Sequence, residues 1–365
     1  MYDVIVIGAG QAGLVAAFHL QRKGLTPGID FLVLDASPEP GGAWQHRWPS
    51  LTLGTVHGIY DLPDFPLGTP DSTRPAAEVV AEYYAAFEAK HGLRVERPAK
   101  VLSVALLETG DGLVVRTATE EFSTRTVISG TGTWDKPYWP YYPGVDEFQG
   151  LQLHTRDFRR AADFVGKRVL VVGGGTSATQ FLLELHDAGA RTFWSTRRPP
   201  QFRQLEYTPS WGLAIERAVD ARTRAGLPPA SLADNTGLPL NDRYRAGIAA
   251  GTLVSRGPLR RLTRDAAIFD DGSVAHIDAV LWATGFRDSL DHLAPLKLRE
   301  PGGGILMDKV LVRKEPRLFL VGYGASASTL GATRAGRSAA VAALRYLDDV
   351  KNQPEPEESA ALPVA

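Results

Sequence analysis

Gly8, Gly10 and Gly13 follow an apolar run, Val4 to Ile7, and precede a stretch, Leu14 to Gln21, whose apolar residues recur at helical spacing. Strand, glycine turn and helix in that order can cradle a pyrophosphate. The first glycine permits the tight turn, the second lets the backbone approach the phosphates, and the third lets helix and strand pack closely. The helix N-terminus adds free N–H groups and a partial positive charge. A second apolar run, Phe31 to Leu34, ends at Asp35. That carboxylate lies about 20 residues beyond Gly13, where it can accept hydrogen bonds from a ribose diol.

The pattern occurs twice. Arg168 to Val172 reads as a strand, Gly173 and Gly175 form the turn, and Thr176 and Ser177 open a helix that carries Ala178 in the third glycine's place. The next strand, Arg191 to Ser195, ends not in an acid but in Thr196-Arg197-Arg198. A carboxylate there would repel a 2′-phosphate, whereas a guanidinium holds one bidentately. The first unit therefore reads as an FAD site and the second as an NADPH site. The competing reading of the arginines is a solvated surface pair.

These turns need a scaffold of two open sheets. A chain of 365 residues is long enough for about two domains. A helix is expected over Ala76 to Lys90, a turn at Asp111-Gly112, and a strand over Thr126 to Ser129 that ends in Gly130-Thr131-Gly132. Further helices are expected over Leu213 to Ala225 and Leu330 to Leu347, with strands over Ala279 to Trp282 and Arg317 to Val321. The fold class is α/β with two Rossmann-like dinucleotide-binding domains. Residues 1–157 and 277–350 form a discontinuous FAD domain, and residues 158–276 form an NADPH domain with a helical insert at about 200–250. Residues 351–365, rich in Pro and Glu, are expected to be a disordered tail.

Lys and Arg number 40 against 41 Asp and Glu, so no charge excess draws the chain to nucleic acid or anionic lipid. The absence of cysteine excludes a disulfide scaffold, a thiolate metal site and a dithiol relay. No apolar run approaches the length of a membrane helix, and the N-terminus is already a strand rather than a signal. The expectation is a cytoplasmic protein without a metal.

With the two turns, further motifs resemble the class B flavin-dependent monooxygenases across almost the whole chain. Gly41-Gly42-Ala43-Trp44 is similar to that family's GGxW. Phe148, Gly150, His154 and Phe158 match its FxGxxxHxxx(Y/F) signature, and Ala283-Thr284-Gly285-Phe286 matches its ATG(Y/F) linker. The aromatic end of the signature resembles the N- and S-oxidising branch. Val321-Gly322-Tyr323-Gly324 resembles a small bacterial subgroup, the flavin-containing or arsenic-operon-type monooxygenases.

The resemblance implies FAD contacts at Gly42, Trp44, Thr131, Gly132, Gly322, Thr329 and Leu330, beside Gly8, Gly10, Gly13 and Asp35. It implies NADPH contacts at Thr284 and Gly285, beside Gly173, Gly175, Thr176, Ser177, Arg197 and Arg198. It implies a C4a-(hydro)peroxyflavin that oxygenates a thioether, amine or ketone, with molecular oxygen and a small organic molecule as partners, and a homodimer. The final helix would aim its N-terminus, around Ser328 to Gly331, at the flavin. His154 reads as a hinge between domains. His57 and Arg203 are the catalytic candidates, each weighed against a plain surface role. One departure stands out. Leu53 to His57 contains no asparagine where larger members place one against the flavin. That favours an alternative, an NADPH oxidase releasing hydrogen peroxide; a non-catalytic FAD redox sensor is a second.

Overall fold

The computed structural model describes residues 1–56, 58–204, 209–229, 237–327 and 329–352. In chain order the first unit comprises β1 (Tyr2–Ile7), α1 (Gln11–Arg22), β2 (Phe31–Leu34), α2 (Ala76–His91), β3 (Val95–Glu96), β4 (Ser103–Leu106), β5 (Leu113–Arg116) and β6 (Glu121–Ser129). β1 is the axis. Val4, Ile5, Val6 and Ile7 are β-branched and buried, as a strand covered on both faces requires. It pairs in parallel with β2, placing Val4 opposite Phe31, and with β6, placing Val4 opposite Thr126.

The chain then crosses to a second sheet. It comprises β7 (Leu151–His154), β8 (Arg168–Val172), α3 (Thr176–Asp187) and β9 (Arg191–Ser195), followed by an insert of β10 (Phe202–Arg203), α4 (Pro209–Arg224), β11 (Leu238–Pro239) and α5 (Asp242–Ala249). A meander, β12 (Leu259–Leu262), β13 (Ala266–Phe269) and β14 (Val274–His276), leads to β15 (Ala279–Trp282). The parallel order is β7-β15-β8-β9. β16 (Met307–Asp308), β17 (Leu311–Val312), β18 (Leu318–Leu320) and α6 (Thr329–Lys351) return to the first unit, whose sheet runs β16-β17-β18-β6-β1-β2-β3. β5 and β4 extend it from β6 in antiparallel pairing.

This topology corrects the expected boundaries. β7 lies in the second sheet although residues 1–157 were assigned to the first domain, and β15 lies there although that domain was to resume at residue 277. Ala279 pairs with both Leu151 and Val169, so β15 is sandwiched between β7 and β8. The helix in the insert starts at Pro209 rather than Leu213, and the last helix continues to Lys351. The tail beyond residue 352 lies outside the described residues.

α1 and α6 pack closely because small residues meet there. A Cβ on Gly336 would stand 2.4 Å from the Ala12 carbonyl oxygen. This contact fixes the start of α6 beside the first glycine turn. Among the described residues no helix is long and apolar enough to cross a membrane.

Candidate active site

The three glycines of the first turn divide by surroundings. Gly8 has φ 95°, and a Cβ there would lie 2.6 Å from the Gly130 carbonyl oxygen. A Cβ on Gly13 would lie 1.8 Å from the Gly8 carbonyl oxygen. Both glycines are demanded by packing. Gly10 is extended and N-caps α1, and a Cβ there would meet nothing within 4 Å. Packing therefore leaves Gly10 free to be larger, and the open space before the α1 N-terminus fits a pyrophosphate. Gly42 completes the cradle, since a Cβ on it would approach the Gly10 Cα to 2.9 Å.

Asp35 is buried at the end of β2. One carboxylate oxygen accepts the Ala9 N–H within the turn, and the other accepts the Ser37 N–H at 2.8 Å. The acid thus braces the loop and keeps further lone pairs for a ribose. Arg97 approaches it to 4.0 Å while pairing bidentately with Glu88 at 2.7 and 2.8 Å.

The second turn repeats the division. Gly173 has φ 142°, and a Cβ there would stand 2.1 Å from the Ala283 carbonyl oxygen, whereas a Cβ on Gly175, the N-cap of α3, would meet nothing within 4 Å. Ala178 is buried, and Thr176 and Ser177 form the half-buried first turn of α3. Beyond β9, Thr196 is buried and bonded to Ser255, while Arg197 and Arg198 stand exposed.

Two linkers join the units and pin each other. The Tyr138 N–H donates to the Gly285 carbonyl at 2.9 Å, and the Thr284 hydroxyl donates to the Tyr138 carbonyl. The Thr131 hydroxyl donates to the Ser289 carbonyl at 2.7 Å, and the Ser289 N–H to the Gly132 carbonyl at 2.9 Å. Thr131 and Thr284 thus spend their hydroxyl protons on linker carbonyls. Gly132 and Gly285, both at positive φ, border open space, as does Gly322 at the end of β18. α6 begins at Thr329, with Leu330 next; Ser328 lies outside the described residues.

His154 is buried. Its Nε2 lies 3.0 Å from the Gly285 carbonyl and its Nδ1 accepts the Arg156 N–H at 3.2 Å. Burial lowers its pKa, and the ring ties β7 to the linker through the Gly285 carbonyl. Arg203, a catalytic candidate, is exposed on β10 and donates to Gln201 at 2.8 Å. His57, the other catalytic candidate, lies outside the described residues.

Trp44 is half-buried against the first unit's core, while Trp48 and Leu51 pack in the second unit's core. The segment between them therefore spans the seam between the units. There Arg47 lies over Trp134 at 4.8 Å and over Trp44 at 5.8 Å. Trp134 stacks between His46 at 5.8 Å and Phe286 at 5.0 Å, and Phe286 meets His154 edge-on at 4.9 Å.

The chain matches the pyridine nucleotide-disulphide oxidoreductase family over residues 5–217. With no cysteine it cannot run that family's dithiol chemistry. A flavin-containing monooxygenase from Stenotrophomonas maltophilia superposes with a TM-score of 0.79 at 34% identity, covering 95% of this chain and 100% of that one. The chain belongs to the class B flavin-dependent monooxygenases. An indole-3-pyruvate monooxygenase of Oryza sativa subsp. japonica is 27% identical over 316 residues, 78% of this chain and 77% of the relative. The oxidoreductase CzcO of Bacillus velezensis is 25% identical over 298 residues, 80% of this chain and 83% of the relative.

This flavoprotein monooxygenase thus has two cradles that fit FAD and a nicotinamide dinucleotide. An open cavity of about 400 Å³ lies between α4 and α6, lined by Arg217, Arg224, Lys309, Tyr323 and Arg334 among others. α4 reaches it by seating Thr223 against Gly324. Sequence reading missed Arg47. Its only local signal is a cation between two tryptophans, Trp44 and Trp48, and its partner Trp134 comes from a distant segment.

Proposed function

We propose that this enzyme uses NADPH in preference to NADH and transfers one atom of dioxygen to a small thioether, amine or ketone. The reaction balances as substrate, O2, NADPH and H⁺ giving oxygenated substrate, H2O and NADP⁺. Bound FAD supplies the hydride acceptor and, once reduced, the means of activating oxygen.

The chain's own residues do the rest. The first unit holds FAD through the α1 N-terminus, the open faces of Gly10, Gly132 and Gly322, the tight approach of Gly42 to Gly10, the Asp35 carboxylate and the backbone at Thr329 and Leu330. The second unit holds NADPH through Gly175, Thr176 and Ser177 at the α3 N-terminus, with Gly285 on the linker. Arg197 and Arg198 receive the 2′-phosphate. Trp44, Trp134 and Phe286 keep water from the seam between the cofactors.

The observation that carries this reading is the pair of open glycines, Gly10 and Gly175, in otherwise tightly packed turns, with an acid after one second strand and two arginines after the other. Its test is to count oxygenated product and peroxide per NADPH consumed, with NADPH and NADH in parallel. Product matching NADPH, with NADH slower by roughly tenfold or more, is expected. A second reading, an oxidase that releases hydrogen peroxide, draws on the lack of asparagine from Leu53 to Val56. Stoichiometric peroxide in the presence of every substrate class would favour it.

A further inference from the structure

Arg47 is a cation without an anion. It follows the Gly42–His46 turn and lies against Trp44 and Trp134, 5.8 and 4.8 Å from their rings. Its backbone N–H donates to the Trp44 carbonyl at 2.9 Å, but among the described residues no carboxylate pairs with its guanidinium and no oxygen accepts a hydrogen bond from it. Its nitrogens are not sealed off either, since the enclosed side-chain atoms without a partner belong to His91, Arg97 and Ser289. Burial pulls its guanidinium below the ordinary value.

Indole faces compensate a cation only in part, and a half-buried charge calls for a counter-charge at its open side. The phosphates of the two dinucleotides have their own cradles, at the N-termini of α1 and α3 and at Arg197 and Arg198. The anion missing at Arg47 is therefore a third one. The position agrees. Arg47 lies in the segment that runs from the first unit's core at Trp44 to the second unit's core at Trp48 and Leu51, so it stands at the seam where the two cofactors must meet.

We propose that Arg47 anchors the substrate and that the oxygenated compound carries a carboxylate, received bidentately by the guanidinium while Trp44 and Trp134 flank its apolar part. This rests on the monooxygenase reading above and narrows its substrate class from neutral thioethers, amines and ketones to acids.

The test uses the FAD-loaded enzyme with a matched pair, para-(methylthio)benzoate and its methyl ester, in wild type, Arg47→Met and Arg47→Lys. Methionine fills the space between the indoles without charge, and lysine keeps the charge without the fork. In wild type kcat/KM for the acid should exceed that for the ester by roughly tenfold or more. Arg47→Met should abolish the preference through the KM of the acid, and Arg47→Lys should retain part of it. Equal values for acid and ester in wild type would overturn the proposal. So would an Arg47→Met enzyme that loses acid and ester activity in equal measure, which would assign the guanidinium to FAD or to packing. If neither compound is oxygenated, the monooxygenase reading fails separately, and Kd values from flavin fluorescence decide the anchor. Tighter binding of the acid, lost in Arg47→Met, supports it; equal Kd values for acid and ester overturn it.

Discussion

Gly8 and Gly173 perform one task in two places. Each ends a buried parallel strand at positive φ, 95° and 142°, and each packs on a carbonyl of the strand-end loop beside it, Gly130 in the first unit and Ala283 in the second. Gly10 and Gly175 likewise leave equivalent open spaces before their helices. The units part after the second strand. β2 ends in a buried carboxylate that turns back to bond Ala9, whereas β9 ends in a buried threonine followed by two exposed arginines. The two turns are alike in geometry, and the units differ one strand later, where the proposed choice of nucleotide would lie.

A methyl group placed on each kind of glycine separates the packing role from the open one. Gly13→Ala drives a Cβ into the Gly8 carbonyl, and should cost about 3 kcal/mol or more of stability in urea unfolding. Gly10→Ala should fold like wild type, because its backbone is extended and its Cβ meets no protein atom, yet bind FAD weaker by roughly tenfold or more. Gly175→Ala should leave FAD bound and raise the KM for NADPH by a similar factor of roughly tenfold. If Gly175→Ala released FAD, the division of cofactors between the units would be wrong.

A subtler change sharpens the contrast after the second strand. Arg197→Gln and Arg198→Gln should each lower the NADPH-over-NADH ratio of kcat/KM by roughly tenfold, the worth of a lost charge-assisted bond, with little change in the NADH value itself.

The smallest effect concerns acid. His292 is buried against Ser129 at the end of β6, with Nε2 3.0 Å from the hydroxyl, and burial lowers its pKa to about 4. The unfolded chain takes up this proton near pH 6.5, while the folded one does not until about 4. This contribution is therefore fully present above the unfolded value and is lost as pH falls toward the folded one. Between pH 7 and 5.5 the loss should be about 1 kcal/mol, and His292→Gln should flatten it in chemical denaturation at the two pH values.

Both glycine turns were legible because their information is local. Spacing within a short window dictates turn and helix, and the structure has both where they were expected. The sheet to which a strand belongs is not local. Leu151 to His154 and Ala279 to Trp282 are four-residue strands whose parallel partners lie far along the chain, so the sequence could not tell which sheet they join. Residue types suggested roles for Thr131 and Thr284 but not that their hydroxyls would turn to linker carbonyls. Arg203 had only its neighbours to recommend it, and Gln201 takes its guanidinium. Arg47 was invisible for the opposite reason: its significance lies in what is missing around it, which only the assembled fold displays.

In the proposed reaction the acid-bearing unit and the arginine-bearing unit together deliver electrons from NADPH to dioxygen, one atom of which passes to an organic acceptor. The most direct test supplies the FAD-loaded enzyme with NADPH, heavy-isotope dioxygen and, in turn, a thioether, an amine and a ketone, each with and without a carboxylate, and weighs the products by mass spectrometry. One labelled oxygen atom per product molecule, with NADPH consumed in equal amount, is the result expected. Label recovered only as peroxide or water, with every acceptor unchanged, would contradict the account.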